Sequence, residues 1–423
     1  MNNHYAVPPL GPTAPVGEIL LAGVAVRIEL PPSQHTLAVE RYEAVRTYVE
    51  RPDSPLHDRV AWYYPQGSMA IRATIKSYRR DDGFDIDIVA ELNLPHSWPP
   101  AQILDILHAA IKGEKGSRYY DVVERQTRCV TVYYADGMHL DVTPALLLNQ
   151  NDPRLSHIFH AKPEEHSSLH SRVVTNSWAF CDRFNHVLVP DLLFEQAYAQ
   201  RAIDYERMSI RADADVKPVP AHSALEGGKS SAVVALQLLK RNRNMRYAKR
   251  KGERMPPSVM LAKFASDGRG PTGSIAGALD TISASILSAL EVAEANGVLI
   301  DVRNPTCNGD CFTDRWPENR NAQLKYIVDL KQFRKQLHTL MNGGLALDEM
   351  RDLLVDMFGE GPAQSTIEEE AARRGYAIKT GQRAIAPTGR VIPTAGIAAP
   401  AIISPAFAQP PKHTFYGTRW KKR

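Results

Sequence analysis

Two aspartates separated by one residue, Asp85 and Asp87, stand in an apolar segment of the sequence. Side chains alternate across a β-strand, so both carboxylates are expected on one face, opposite Phe84, Ile86 and Ile88. Carboxylates on one face of a buried strand repel each other, and a cation relieves that repulsion. Magnesium ions take oxygen ligands, and a pair of them can clamp the attacking and leaving oxygens of a phosphoryl transfer. The spacing therefore predicts metal-dependent phosphoryl-transfer chemistry.

A third carboxylate is predicted at Asp141, because two metal ions need more ligands than two aspartates provide. Residues 127–134 are β-branched and aromatic, as in strands, and the Asp-Gly pair that follows them is typical of a hairpin turn. In the returning strand, alternation predicts inward side chains at Met138, Leu140 and Val142. Asp141 then lies on the other face with His139, and we expect the strand to end just after it.

Gly67 and Ser68 open a short predicted helix ahead of the two aspartates. The N-terminus of a helix offers unpaired backbone N–H groups to phosphates. Each pattern alone has an ordinary explanation, since Asp-x-Asp is common on solvated strands and Gly-Ser at helix ends. The ordered combination of Gly-Ser, Asp-x-Asp and a strand-borne aspartate after a hairpin is far more specific. It favours a nucleoside triphosphate held over metal ions.

This combination resembles the nucleotidyltransferases of the cGAS/DncV type (CD-NTases), the bacterial cyclic-oligonucleotide synthases of anti-phage (CBASS) defence. The likeness extends from the first helix to about residue 345. The segments that carry it are residues 66–68 with Thr74, 84–88, 139–145, 158–163, 304–305 and 312–316. One departure is Ala73, where family members commonly have glycine. Alanine suits a helix better than glycine, so the change is expected to alter a helix end rather than the chemistry.

The resemblance implies a polymerase-β-like nucleotidyltransferase lobe, a mixed sheet with helices, followed by a mainly α-helical second lobe. The active site would lie in the cleft between the two lobes. In that family's pattern the catalytic, metal-binding residues correspond to Asp85, Asp87 and Asp141, which would hold two Mg²⁺ ions or Mn²⁺. The donor phosphates would be bound by residues that correspond to Gln66, Gly67, Ser68, Lys240 and Ser258.

Three regions are predicted along the chain. Residues 1–205 form the catalytic lobe, in which residues 1–30 are a proline-dotted arm and residues 33–50 a helix with apolar positions near helical spacing. Residues 206–380 form the helical lobe, and residues 381–423 an Ala/Pro-rich flexible tail. The tail ends in aromatic and basic residues, which makes it a candidate docking or conjugation site for an accessory protein.

Composition agrees with a sizeable enzyme of the cytoplasm. The 423 residues are enough for two lobes, and a net charge of +4 is too small to require nucleic acid as a partner. Four cysteines without a secretion signal fit a reducing compartment. The most apolar tail segment, residues 391–411, contains four prolines that would break a spanning helix, so no membrane partner is expected.

Residues 240–251 form a basic run that has three interpretations. Most of it is expected to be a solvated helix face, and stable nucleic-acid binding is not expected, although such a surface suits phosphates and bases. For Lys240 alone, the family resemblance favours a position in the cleft against a triphosphate. Cys307 and Cys311 are interpreted as ordinary thiols, because a zinc site would need two further ligands.

The sequence therefore predicts a synthase that joins ribonucleoside triphosphates into a cyclic di- or trinucleotide and releases pyrophosphate. The cyclisation step rests on the resemblance alone. One alternative is a template-independent transferase that makes linear oligonucleotides or extends RNA. The other is a non-catalytic nucleotide sensor, which is less favoured because such proteins usually lose one acidic residue of the triad.

Overall fold

The computed structural model describes residues 10, 14–30, 32–76, 84–149, 152, 154–189, 191–212, 229–268, 273–380, 383–385 and 391–393. Within these residues the helices are α1 (Val16–Ile28), α2 (Pro32–Val49), α3 (Gly67–Ala70), α4 (Pro100–Lys112), α5 (Ser177–Val187), α6 (Leu192–Ala212), α7 (Ser231–Tyr247), α8 (Ser258–Asp267), α9 (Ile275–Ala295), α10 (Arg320–Asn342), α11 (Leu347–Phe358) and α12 (Glu360–Lys379). The strands are β1 (Val60–Pro65), β2 (Asp85–Leu92), β3 (Val123–Arg125), β4 (Val130–Tyr133), β5 (His139–Leu147), β6 (Ser156–His160), β7 (Ser171–Thr175), β8 (Arg303–Asn304), β9 (Cys307–Cys311), β10 (Arg383–Ile385) and β11 (Val391–Pro393). The predicted class, a mixed sheet with helices followed by a mainly helical part, is confirmed.

The strands from β1 to β7 form one mixed sheet in which β2 and β5 are parallel neighbours. On one side β1 runs antiparallel to β2, and on the other side β4 and then β3 continue the sheet. β6 pairs with the later part of β5, and β7 pairs with β6. The predicted hairpin is confirmed, because β4 and β5 are antiparallel and a tight turn at Gly137 joins them.

β5 does not end just after Asp141, as the sequence predicted, but continues to Leu147 with Pro144 inside it. Antiparallel pairing with β4 stops at Val142, and pairing with β6 begins at Ala145. Pro144 lies in this gap, where a residue without an N–H group interrupts no antiparallel ladder. The strand continues because a second partner replaces the first.

The predicted alternation in β2 and β5 is confirmed. One face is apolar and buried, and its side chains are Phe84, Ile86, Ile88, Met138, Leu140 and Val142. α4 packs in the same cluster through residues that recur at helical spacing, namely Ile103, Leu104, Leu107, Ala110 and Ile111. The opposite face carries the three aspartates of the predicted site and, further along the strands, the buried Val89 and Ala145.

The predicted arm over residues 1–30 is wrong for residues 16–28, which form helix α1. Every residue from Gly17 to Ile28 is buried, and a helix that is apolar all round belongs in a core. Its Glu18 carboxylate accepts hydrogen bonds from Ser274 Oγ at 2.6 Å and from the backbone of residues 275 and 276 at 3.0 Å each. A carboxylate at the N-terminus of α9 satisfies the free N–H groups there.

The expectation of a solvated basic face is wrong for residues 241–243, which are buried together with Lys240. α7 lies among α1, α8, α9 and α11, so even its polar residues are enclosed. Arg241 Nε donates to the carbonyl of Phe358, and Asn242 Nδ2 to that of Met357, both at 2.9 Å. Both carbonyls lie at the C-terminal end of α11, where they have no partner within their own helix. The side chains of Arg241 and Asn242 supply the missing hydrogen-bond donors.

One described helix, α9, is long and apolar enough to cross a membrane, but it packs against α7 and α10 in the core, and length and composition alone are weak evidence for a span.

The predicted helix over residues 33–50 is confirmed as α2. In the predicted tail, β10 and β11 form an antiparallel pair. The aromatic and basic end of the tail lies outside the described residues, and the three-part domain division stays a prediction.

Candidate active site

A cavity of about 1040 Å³ lies between the sheet edge at α3 and β2 and the helices α7 and α8. Nearly all the predicted site residues line it, namely Gln66, Gly67, Ser68, Asp85, Asp87, Lys240 and Ser258. Asp141 is the exception, since it stands beside Asp87 on the neighbouring strand without lining the cavity. The fold thus brings together residues that are far apart in the sequence.

The parallel register of β2 and β5 sets the three carboxylates side by side. Asp87 is opposite Asp141, and Asp85 is opposite His139, whose Nδ1 lies 3.5 Å from an Asp85 carboxylate oxygen. Asp85 is the outermost of the three, with a side chain that is 68% exposed. Loss of hydration, followed by the charges of Asp141 and Asp85, raises the pKa of Asp87 to about 7 against the opposing effect of Lys240. Asp87 is thus a carboxylate that lacks sufficient positive charge around it.

Asp141 is held by a residue that sequence reasoning missed. Thr131, paired with it across β4 and β5, donates its hydroxyl to Asp141 Oδ1 at 2.5 Å. Burial raises the pKa of Asp141, while the hydrogen bonds from Thr131 and Cys129 lower it. The signal was available in the sequence, since a hairpin through an Asp-Gly turn places a residue of the first strand directly opposite Asp141.

Gly67 brings the backbone close to the carboxylate of Asp87. Its φ of +60° is in the left-handed region, and a Cβ there would lie 2.3 Å from Asp87 Oδ2. The preceding Gln66 donates its backbone N–H to the carbonyl of Asp87 at 2.9 Å, and its side-chain amide reaches Thr143 Oγ1 at 3.4 Å. These hydrogen bonds hold the start of α3, which includes Ser68, against β2.

Lys240 is a buried amine at the wall of the cavity. Its Nζ donates to the carbonyl of Ala73 at 2.7 Å, and the side chain is only 6% exposed. Burial and then the charge of Arg243 lower the pKa of Lys240 to about 7, while Asp87 and Asp85 act in the opposite direction. An anion that enters the cavity favours the charged form of this amine.

Ser258, at the first position of α8, accepts a hydrogen bond from Arg243 Nη1 at 3.0 Å. The same guanidinium nitrogen donates to the carbonyl of Pro256 at 2.7 Å. Sequence reasoning missed Arg243, whose pKa burial lowers to about 10. It lies three residues after Lys240 and so on the same face of α7, which was the signal that could have identified it.

The far wall of the cavity contains a third residue that sequence reasoning missed, Asp310 in β9. Its carboxylate accepts hydrogen bonds at 2.9 Å from Thr175 Oγ1 and from Asn304 Nδ2, and one at 3.2 Å from the backbone N–H of Asn176. Thr175 and Asn176 precede Asp310 by more than a hundred residues, so no local sequence pattern could predict this cluster. The side chain of the neighbouring Asn176 caps α5 by accepting a hydrogen bond from Ala179 N.

The carboxylates of this site are candidate ligands for a divalent metal. Within the described ranges no three His, Cys, Asp or Glu side chains are already arranged to hold a metal ion. The donor chemistry nevertheless fits, because Asp87 and Asp141 are neighbouring carboxylates whose pKa values burial raises, and a cation offsets that cost. Cys307 and Cys311 are free thiols in β9, and their interpretation as ordinary cysteines stays a prediction.

Comparison with known proteins gives a family match and relatives that span the chain. Residues 24–159 match the Second Messenger Oligonucleotide or Dinucleotide Synthetase domain. The chain is 39% identical over 416 residues to the cyclic dinucleotide synthase CdnG of Bradyrhizobium diazoefficiens, covering 97% of each protein. It is 24% identical over 355 residues to the c-di-GMP synthase of Roseivirga ehrenbergii, covering 84% of this chain and 87% of that protein. The solved structure of the Bradyrhizobium CD-NTase CdnG in complex with GTP superposes with a TM-score of 0.71 and 35% identity, over 84% of this chain and 99% of that one.

Proposed function

Because the chain belongs to the family of second messenger oligonucleotide or dinucleotide synthetases, we propose that it condenses two molecules of GTP into a cyclic dinucleotide. It is a nucleotidyltransferase that uses ribonucleoside triphosphates. The choice of GTP is supported by one relative that is named a c-di-GMP synthase and by another solved with GTP. The observation that carries the proposal is Asp87, a carboxylate that is short of positive charge beside Asp141, in a cavity large enough for nucleotides.

Three carboxylates are proposed to hold Mg²⁺ or Mn²⁺, namely Asp85, Asp87 and Asp141. When bound, such ions supply the positive charge that lets carboxylates and phosphates share one cavity and that stabilises the charge of the leaving group. Asp85 lines the cavity, and its side chain is 68% exposed. Asp87 and Asp141 are already adjacent on paired strands.

The chain's own residues then position the reactants. Gly67 and Ser68 approach the phosphates of the donor nucleotide, and Lys240 gains a full positive charge against them. Asp141, aligned by Thr131, accepts the proton of the attacking ribose hydroxyl. The hydroxyl oxygen bonds to the α-phosphorus as the bond from that phosphorus to the bridging oxygen breaks, and pyrophosphate leaves. A second, identical transfer closes the ring.

The test is synthesis by the purified full chain. The protein is incubated with all four labelled ribonucleoside triphosphates and Mg²⁺ or Mn²⁺, and then treated with phosphatase. A phosphatase-resistant product supports the proposal if it disappears when GTP is omitted and persists when any other triphosphate is omitted. The Asp87→Asn variant is expected to make no product, while Asp121→Asn, a matched change at an exposed position, keeps wild-type synthesis.

The other outcomes identify the alternatives. Phosphatase-sensitive linear chains would indicate a template-independent transferase. Nucleotide binding without turnover, at any divalent metal, would indicate a sensor and contradict the proposal. A resistant product that requires a different nucleotide would leave the reaction in place and overturn the choice of GTP. An accessory protein at the tail stays a prediction from the aromatic and basic residues at its end.

A further inference from the structure

The large cavity contains an arginine, Arg315, to which the reaction described above gives no role. It lies between β9 and α10 and lines the cavity together with Arg128. Two buried aromatic residues anchor this segment, Phe312 at 7% and Trp316 at 1% exposure. The carbonyl of Arg315 also accepts a hydrogen bond from Arg254 Nη1 at 3.4 Å. The backbone is therefore held in place, while the Arg315 side chain is exposed at the cavity.

The Arg315 guanidinium is short of negative charge. The carboxylates nearest to it in the sequence are already paired, since Asp314 forms a salt bridge with Arg128 and Glu318 lies 3.6 Å from Arg254. Among the residues that the structure describes, no group pairs with the Arg315 guanidinium itself. Loss of hydration, followed by the charges of Arg128 and Arg254, lowers its pKa, and Asp314 opposes this effect. An anion bound here would supply the missing partner.

Arg315 belongs to the Asp141 side of the cavity. The thiol of Cys129 hydrogen-bonds to the Asp141 carboxylate and is also close enough to Arg315 to affect its pKa. The groups that affect the pKa of Lys240 are different ones, with no member in common with those that affect Arg315. The two cations therefore serve different parts of the cavity.

The proposed reaction requires a second polyphosphate in this cavity. The donor triphosphate is assigned to the end at Gly67 and Lys240, and the acceptor hydroxyl to Asp141, but the acceptor nucleotide carries a triphosphate of its own. The cavity of about 1040 Å³ exceeds the range of about 300–1,000 Å³ that is typical of a site for one small ligand. A planar guanidinium can donate two parallel hydrogen bonds to phosphate oxygens.

We propose that Arg315 binds the 5′-triphosphate of the acceptor nucleotide and so positions its ribose hydroxyl at Asp141. The inference rests on the proposed function and adds how the acceptor is held. It also separates the two transfers. After the first transfer the linear dinucleotide has a single triphosphate, which must move to Lys240 to serve as the donor for ring closure. Arg315 is thus required for the first transfer and dispensable for the second.

Three variants test this role. Arg315→Met removes the charge but keeps a long side chain, and Arg315→Lys keeps the charge without the paired hydrogen bonds. Because the Arg315 side chain is exposed, both variants are expected to fold. Arg59→Met is the matched control, an exposed arginine that does not line the cavity.

Two rates are measured with the full chain and Mg²⁺: product formation from limiting GTP, and ring closure of the synthetic linear dinucleotide triphosphate. In Arg315→Met the first rate should fall roughly tenfold or more, because a hydrogen-bonded charge contact is lost, while the second stays at the wild-type value. Arg315→Lys should restore part of the first rate, and Arg59→Met should leave both unchanged. Equal losses of the two rates in Arg315→Met, or no loss of either, would overturn the proposal.

A binding measurement distinguishes failure of this inference from failure of the proposed function. Equilibrium dialysis uses a GTP analogue with a methylene group in place of the α–β bridging oxygen, so that no transfer occurs. Wild type is expected to bind two molecules, and Arg315→Met to lose affinity roughly tenfold for the second alone. Labelled guanosine, which has no phosphate, should bind both proteins equally, and weaker binding to the variant would assign Arg315 to the base and contradict the proposal. Wild-type synthesis together with unchanged analogue binding in Arg315→Met would refute this inference alone. Absence of synthesis with the expected analogue binding would refute the proposed function and leave the phosphate contact of Arg315 in place.

Discussion

Replacing Asp87 with asparagine is expected to stabilise the metal-free protein while it abolishes synthesis. Burial and the neighbouring carboxylates raise the pKa of Asp87 from 3.8 to about 7. Between these two values the folded protein holds a proton that the unfolded chain has released, so stability falls as the pH rises through this window. Above about pH 7 the full cost of the ionised carboxylate is present, and asparagine removes it.

The size of the effect follows from the two pKa values. At about 1.4 kcal/mol for each pH unit, the difference corresponds to about 4 kcal/mol at pH 8. Because Asp87 is partly exposed, solvent screening makes this an upper limit. For a chain of this length, that free energy corresponds to a rise in Tm of roughly 5 °C. The gain should fall to about 1.5 kcal/mol at pH 5 and vanish below about pH 4.

Thermal unfolding in EDTA, followed by circular dichroism at pH 8 and pH 5, measures the effect. Asp85→Asn is the matched control on the same strand, since its side chain is 68% exposed and no stabilisation is expected. Adding Mg²⁺ should raise the Tm of wild type more than that of Asp87→Asn. Equal Tm values of wild type and Asp87→Asn at pH 8 in EDTA would refute the reasoning, because they would mean that the charge of Asp87 is already compensated.

Two further variants test the geometry of the site. Gly67→Ala places a Cβ 2.3 Å from Asp87 Oδ2, so synthesis should fall at least tenfold. Gly116→Ala is the control, because Gly116 also has a positive φ, of +89°, but no atom lies near the added Cβ. This control should share only the backbone strain of about 1 kcal/mol and keep its activity. Equal activities would show that the close approach is unimportant. Thr131→Val removes the hydrogen bond that lowers the pKa of Asp141, so the acidic limb of the rate profile should move to higher pH, and Thr131→Ser should restore it. An unchanged profile in the valine variant would contradict the role of Thr131.

The strands that carry the aspartates were predictable because alternation is a local property of the chain. Asp87 and Asp141 needed only the period of two and an Asp-Gly turn to be placed on one face. The burial of Arg241 was not predictable in this way, because its partner carbonyl at Phe358 is 117 residues away. The basic composition of the segment predicted a solvated Arg241. Its side chain is buried because it donates to a carbonyl at the C-terminus of α11.

α1 was missed for a related reason. Its apolar residues lie on all sides, so no amphipathic stripe marks it as a helix, and its flanking prolines resemble those of an extended arm. The partners that bury it, such as the α9 N-terminus capped by Glu18, come more than 250 residues later. The basic end of the predicted tail lies outside the described residues, and its docking role stays a prediction.

The position of α1 also has a consequence for synthesis of the protein in the cell. α1 packs against α12, and Arg27 pairs with Glu369, 342 residues further along the chain. A nascent chain therefore carries an apolar helix that has no complete partner until almost the whole sequence has left the ribosome. Closing so long a loop is slow, so one side of this apolar helix stays exposed during most of translation. Truncating the chain before α12 should consequently also expose the side of α1 that packs against α12.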